Sequence, residues 1–160
     1  MRFILITIVA LIFPVSTAAL TEEEQAAELA PPRSSCTDIV MTNVGGTYNG
    51  KDLCEDIRGT YGHDTIFGDD GDGNNEGDYI DCGLGIDFCH GRDGNDLVKG
   101  GSGGDKLTGG PGRDVIGADD GYGDTVDCGT GEDYIYMDTA AVEGTIERCE
   151  HKIVNGKVIS

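Results

Sequence analysis

Cations are scarce in this 160-residue chain, with 11 Lys or Arg set against 30 Asp or Glu and a formal net charge of −19. A surface so negative repels a polyanion, so nucleic acid is excluded as a partner. Beyond the first 19 residues no apolar run approaches the roughly 20 residues that cross a bilayer, so no membrane span is expected. The cysteines form no C-x-x-C pair, which argues against zinc. H-E-x-x-H is missing, and His63, His90 and His151 have no patterned partners. Gly45–Asp52 (G-G-T-Y-N-G-K-D) fits G-x-x-x-x-G-K but carries Asp where Ser or Thr holds magnesium. Among so many carboxylates a phosphate cradle is electrostatically poor, so this is a chance match. No catalytic residue is assigned, and no enzymatic activity is expected.

What the chain has instead is a beat of aspartates: Asp64, Asp78, Asp87, Asp96, Asp105, Asp114, Asp124 and Asp133, spaced 14, 9, 9, 9, 9, 10 and 9 residues apart. Two places after each stands an inward-facing candidate: Ile66, Ile80, Cys89, Val98, Leu107, Ile116, Val126 and Ile135. Gly100–Thr108 reads G-G-S-G-G-D-K-L-T, and Gly109–Gly117 follows as G-G-P-G-R-D-V-I-G. Nine residues hold a six-residue turn and a three-residue strand, with one side chain of the strand inward and two outward. No single repeat buries its apolar residue, so neighbours must stack into a continuous thin core. The outward places, among them Thr65, Phe67, Tyr79, Lys99, Lys106, Thr108, Tyr134 and Tyr136, show no repeated aromatic or Thr ladder.

This pattern, G-G-x-G-x-D-x-U-x, resembles the haemolysin-type (RTX) calcium-binding nonapeptide repeat. The resemblance implies an all-β fold, a parallel β-roll (β-solenoid) of about eight repeats with calcium ions held between successive turns on each of two edges. One edge would carry Asp64, Asp87, Asp105 and Asp124, the other Asp78, Asp96, Asp114 and Asp133. It also implies backbone ligands from turn glycines, here Gly91, Gly100, Gly101, Gly103, Gly109, Gly110 and Gly112. Four turns per edge leave room for roughly six ions.

Residues 59–136 hold 18 acidic residues against 4 basic ones, and 22 of the 27 glycines. Stacked carboxylates repel and glycines lose much entropy on ordering, so folding is expected to wait for a counter-ion. Oxygen-only ligands suit calcium better than magnesium, which demands a tight octahedron. Within Asp70–Asp81, the oxygens of Asp70, Asp72 and Asn74 are candidates for an extra, weaker ion. The insertions before Asp78 and Asp124 are expected to disturb the metal geometry of the first and seventh repeats.

Met1-Arg2, an apolar run over Phe3–Val15 and the small residues Ser16-Thr17-Ala18-Ala19 make residues 1–19 a secretory signal peptide, cleaved after Ala19. The chain is therefore expected to be secreted. Six cysteines, Cys36, Cys54, Cys82, Cys89, Cys128 and Cys149, then imply three disulfides. Connectivity stays open in the sequence, and the local set Cys36–Cys54, Cys82–Cys89 and Cys128–Cys149 is expected, stapling both ends of the roll. Residues 20–35 form an acidic spacer. Residues 36–58 form an N-terminal cap or degenerate repeat, with Gly50, Asp52 and Cys54 in fourth, sixth and eighth places. Residues 59–136 form the roll. Residues 137–160 form a C-terminal cap with an Asn155-Gly156 hairpin turn. Calcium is the expected ligand of a monomer with a structural or buffering role. A calcium-dependent module for a cell-surface or glycan partner is the alternative.

Overall fold

In the computed structural model, which describes residues 36–51, 54–70, 77–139 and 144–159, every D-x-U triplet of the repeat opens a short β-strand. The signal peptide and spacer expected over 1–35 lie outside the described residues. One sheet has the order β1 (Thr37–Val40), β3 (Glu55–Thr60), β5 (Tyr79–Gly83), β7 (Leu97–Lys99), β9 (Val115–Ala118), β11 (Tyr134–Met137), β13 (His151–Val154) and β14 (Lys157–Ile159). The other has β12 (Ile146–Glu147), β10 (Thr125–Thr130), β8 (Lys106–Pro111), β6 (Phe88–His90), β4 (Thr65–Phe67) and β2 (Thr47–Asn49). Up to β13 successive strands alternate between the sheets, and all pairings but β13–β14 are parallel. The chain therefore winds as a two-sheet β-solenoid of about 6 turns. No helix occurs among the described residues.

The coil is longer than the eight aspartate repeats predict. β1, β2 and β3 precede them, and β12 and β13 follow them, all continuing the parallel stacking of the repeat strands. The register of the N-terminal turn also differs from the expectation. Ile57 pairs with Ile80 and is fully buried, so Ile57 holds the eighth place, Glu55 the sixth and Gly50 the first. An aliphatic residue continues the core, whereas Cys54 lies only half-buried and is tied to Cys36. Asp52 lies outside the described residues.

Between the sheets runs a double file of side chains, Ile57, Ile80, Val98, Ile116 and Ile135 from the first sheet and Ile66, Cys89, Leu107 and Val126 from the second, each at most 1% exposed. Burial of one such aliphatic contributes about 1.5–3 kcal/mol, but only if coils lie above and below it. Cys82–Cys89 crosses this file from β5 to β6, joining the two sheets through the core. Cys36–Cys54 and Cys128–Cys149 run along the axis and tie adjacent coils at the two ends, with Cα separations of 4.6 and 5.1 Å. The pairing is the local set expected from the sequence.

Outside the core, register aligns what linear spacing obscured. Tyr79, Leu97, Val115, Tyr134 and His151 fall in one column on the outer face of the first sheet. Leu97 and Val115 cluster there with Tyr136 and Ile153, so Tyr136 is buried rather than displayed. At the C-terminal end Asn155 and Gly156 both take positive φ, 50° and 68°, and turn β13 back into β14.

Candidate metal centre

Each turn aspartate immediately precedes its strand, a position that turns its carboxylate along the edge toward the neighbouring coil. Eight are buried, at most 3% exposed. Those before second-sheet strands (Asp64, Asp87, Asp105, Asp124) line one edge, and those before first-sheet strands (Asp78, Asp96, Asp114, Asp133) line the other.

On each edge the main-chain N–H of one aspartate donates to Oδ1 of the aspartate one coil on. Asp64 donates to Asp87 at 2.7 Å, Asp87 to Asp105 at 2.8 Å and Asp105 to Asp124 at 2.8 Å. Asp78 donates to Asp96 at 2.8 Å, Asp96 to Asp114 at 2.9 Å and Asp114 to Asp133 at 2.8 Å. The sequence offset between partners is 18, 19 or 23 residues, yet the distances barely change. The N–H to Oδ1 distances are thus kept across both longer offsets, 23 and 19 residues.

Oδ2 is the oxygen that matters. In Asp87, Asp96, Asp105, Asp114 and Asp133 it is enclosed and has no hydrogen-bond partner. Asp64 and Asp78 differ: Oδ2 of Asp64 accepts from the Thr60 N–H and hydroxyl, and that of Asp78 from the Asp69 N–H. An enclosed carboxylate oxygen without a donor is costly in its charged form. Desolvation by burial pushes Asp105 up to about 6 and Asp114 up to about 7, and it raises Asp78 to about 6 even against the Asp69 and Glu55 N–H donors. Asp96 goes well above the ordinary range by burial and the nearby Asp114 carboxylate. Desolvation also raises Asp87 and Asp133.

Glycines build the rest of the cradle. Added Cβ atoms on Gly91, Gly100 and Gly109 would lie 2.2, 2.7 and 2.4 Å from Oδ2 of Asp96, Asp105 and Asp114. Those on Gly101 and Gly103 would fall 2.0 and 1.5 Å from the Gly83 and Gly85 carbonyl oxygens. Those on Gly110 and Gly112 would fall 2.0 and 1.6 Å from the carbonyl oxygens of Arg92 and Gly94. Main-chain carbonyls of one turn thus aim at the next turn on the same edge. Among the described residues no three His, Cys, Asp or Glu side chains converge as a metal cluster would. A cation held here takes one or two carboxylates and fills its shell with carbonyls, a hard all-oxygen set that fits calcium.

Of the extra cluster only Asp70 is among the described residues. Asp70 is exposed and 3.8 Å from the Arg92 guanidinium, and Asp72 and Asn74 lie outside the described residues. Gly100–Gly104 spells G-x-S-x-G, but Ser102 is a coil-turn residue whose N–H donates to the Gly83 carbonyl. It does not stand on a strand-to-helix elbow. Sequence reasoning missed Glu55 and Glu150, which hold the sixth place at the two ends of the second edge. The Glu55 N–H donates to Asp78 Oδ1 at 2.8 Å, and the Asp133 N–H donates to Glu150 Oε2 at 3.0 Å. The signal for Glu55 was present: glycine five residues before the acid and isoleucine two after it.

The family model of the RTX calcium-binding nonapeptide repeat (4 copies) matches residues 83–116 and, overlapping them, 90–124. No curated protein and no solved structure matches the chain.

Proposed function

Residues 83–124 are RTX calcium-binding nonapeptide repeats, and from this premise we propose that the chain is a secreted protein whose β-roll folds as it takes up calcium. Calcium binding follows from the repeats themselves. The coupling to folding rests on one observation: five enclosed Oδ2 atoms without a partner, those of Asp87, Asp96, Asp105, Asp114 and Asp133, spread along both edges. Without a cation these carboxylates must lose their hydration for nothing in return, and the coil is penalised at each step. With calcium between turns, the same carboxylates and carbonyls attract coil to coil, so binding free energy becomes folding free energy.

Secretion is supported by the leader-like residues 1–19 and by the three disulfides, which persist in oxidising compartments. We read the role as structural or buffering, carried by a monomer without enzymatic activity. Far-UV circular dichroism of the oxidised chain, stripped with EDTA and titrated with calcium or magnesium, tests the coupling. A cooperative gain of β signal with calcium and little with magnesium is expected. A full β spectrum in EDTA overturns the coupling.

The alternative, a calcium-dependent adhesion or recognition module, has one observation in its favour. Val44, Tyr61, Leu84, Ile86 and Tyr122 are all more than half exposed on turns of the first edge. A glycan array probed with and without calcium discriminates the two readings, since a purely structural protein binds nothing on it.

A further inference from the structure

Glu55 is fully buried, the one carboxylate besides the eight turn aspartates to be enclosed among the described residues. The pairing of Asp56 with Tyr79 sets Glu55 level with Asp78, one coil beyond the end of the aspartate ladder. Its N–H donates to Asp78 Oδ1 at 2.8 Å, the same distance as the Asp78 N–H to Asp96 Oδ1. Oε1 accepts from the Tyr48 hydroxyl at 2.7 Å, whereas Oε2 is enclosed with no partner. An added Cβ on Gly50, five residues earlier, would lie 2.9 Å from Oε2 and 2.5 Å from the Gly68 carbonyl carbon. The same first-place glycine and orphan oxygen mark Asp96, Asp105 and Asp114, and at Asp114 backbone approaches as well, the Cys128 carbonyl oxygen lying 2.3 Å from an added Cβ on Gly109.

We propose that Glu55 is a metal ligand, forming with Asp78 a further divalent-cation site at the N-terminal end of the second edge. This rests on the calcium reading above but lies outside the residues that the family repeat covers. The first edge has no counterpart at this end: it finishes on Gly46, whose N–H caps Asp64 Oδ1 at 2.7 Å. At the far end of the second edge Glu150 is exposed and lacks the enclosure. The two edges therefore differ in capacity, and the extra ion secures the coil that the Cys36–Cys54 bond also ties. The longer glutamate side chain suits this place because the N–H of Thr37, level with it on β1, donates to the Cys54 carbonyl, and the Tyr48 hydroxyl is the donor to one of its oxygens instead.

The test is cation stoichiometry by equilibrium dialysis with radiocalcium, combined with tyrosine-excited terbium luminescence, on the oxidised full chain. Glu55→Gln keeps the volume and an acceptor for Tyr48 but removes the charge. It is expected to bind one ion per chain fewer than the native protein and to lose part of the terbium emission. Tyr48→Phe is expected to keep the calcium stoichiometry and to lose that same part of the emission. Unchanged stoichiometry in Glu55→Gln, with a reduced value in Asp105→Asn, overturns the Glu55 site and leaves the calcium reading intact. If neither variant changes it, the calcium reading of the ladder fails as well. Should Glu55→Gln not fold, unchanged emission in Tyr48→Phe overturns the site by itself.

Discussion

Replacing Asp114 by asparagine should stabilise the calcium-free coil and destabilise the calcium-loaded one. Asp114 is fully buried; its Oδ1 accepts from the Asp96 N–H at 2.9 Å and its Oδ2 has no partner. Desolvation, with the Asp133 carboxylate adding to it, raises this carboxyl from its ordinary 3.8 to about 7. By linkage, holding it in the metal-free fold at neutral pH costs roughly 4 kcal/mol. Asparagine keeps the acceptor for Asp96 and removes the charge, at a cost of about 1–3 kcal/mol if its new amide hydrogens find no acceptor. In EDTA the variant should therefore gain about 1–3 kcal/mol. In calcium it loses a charged ligand, and a tenfold weaker site corresponds to about 1.4 kcal/mol. Urea unfolding at neutral pH, followed by circular dichroism in EDTA and in calcium, reads both signs. A shift of the same sign in both buffers would refute the reasoning, since a purely structural aspartate does not know which buffer it is in.

pH should act on the two states in opposite directions. The folded-state values of Asp78, Asp105 and Asp114 are raised to about 6, 6 and 7, so their contribution to the metal-free coil is fully present below 3.8. It is lost as pH rises through 6 to 7, and melting in EDTA should fall over that window. In calcium the protection should instead fade as pH drops through it, because protons compete for the same oxygens; a pH-independent melting point in either buffer contradicts this. Gly103→Ala places a Cβ 1.5 Å from the Gly85 carbonyl oxygen at φ +140° and should cost more than about 4 kcal/mol. Gly121→Ala, at φ +90° with nothing within 4 Å, should cost about 1–2 kcal/mol; equal melting points for the two would contradict the close stacking of turns. Replacing both cysteines of the 21-residue Cys128–Cys149 link by serine should cost about 3 kcal/mol by loop entropy. The loop term for the 7-residue Cys82–Cys89 link is about 2 kcal/mol, and any excess over it measures the loss of core packing at Cys89.

The repeat was legible because one stereochemical need recurs at a fixed interval: an acid, then a strand residue that faces inward. Ile66, Ile80, Val98, Leu107, Ile116, Val126 and Ile135 could be assigned to the core before any coordinate, whereas the division of the eight aspartates between two edges was implied by the resemblance to the RTX repeat. The disulfide connectivity stayed open in the sequence, and the structure pairs the local set that was expected. The sequence signal for Glu55 was ambiguous, since a cysteine at position 54 offered a competing register. Only the pairing of Ile57 with Ile80 decides between them. Likewise the column from Tyr79 to His151 joins residues spread over 73 positions, and insertions of different length hide it from any fixed period.

By itself, then, the sequence determined the local unit, its winding into a two-sheet coil and its demand for a hard cation. Each of these depends on residues within about one coil of one another. The tertiary structure decided where the coil ends, which oxygens are enclosed and which are already satisfied. Those depend on what the next coil places against a given turn: a carboxylate oxygen is orphaned or capped by a neighbour some 18 residues away, as Asp114 and Asp64 show.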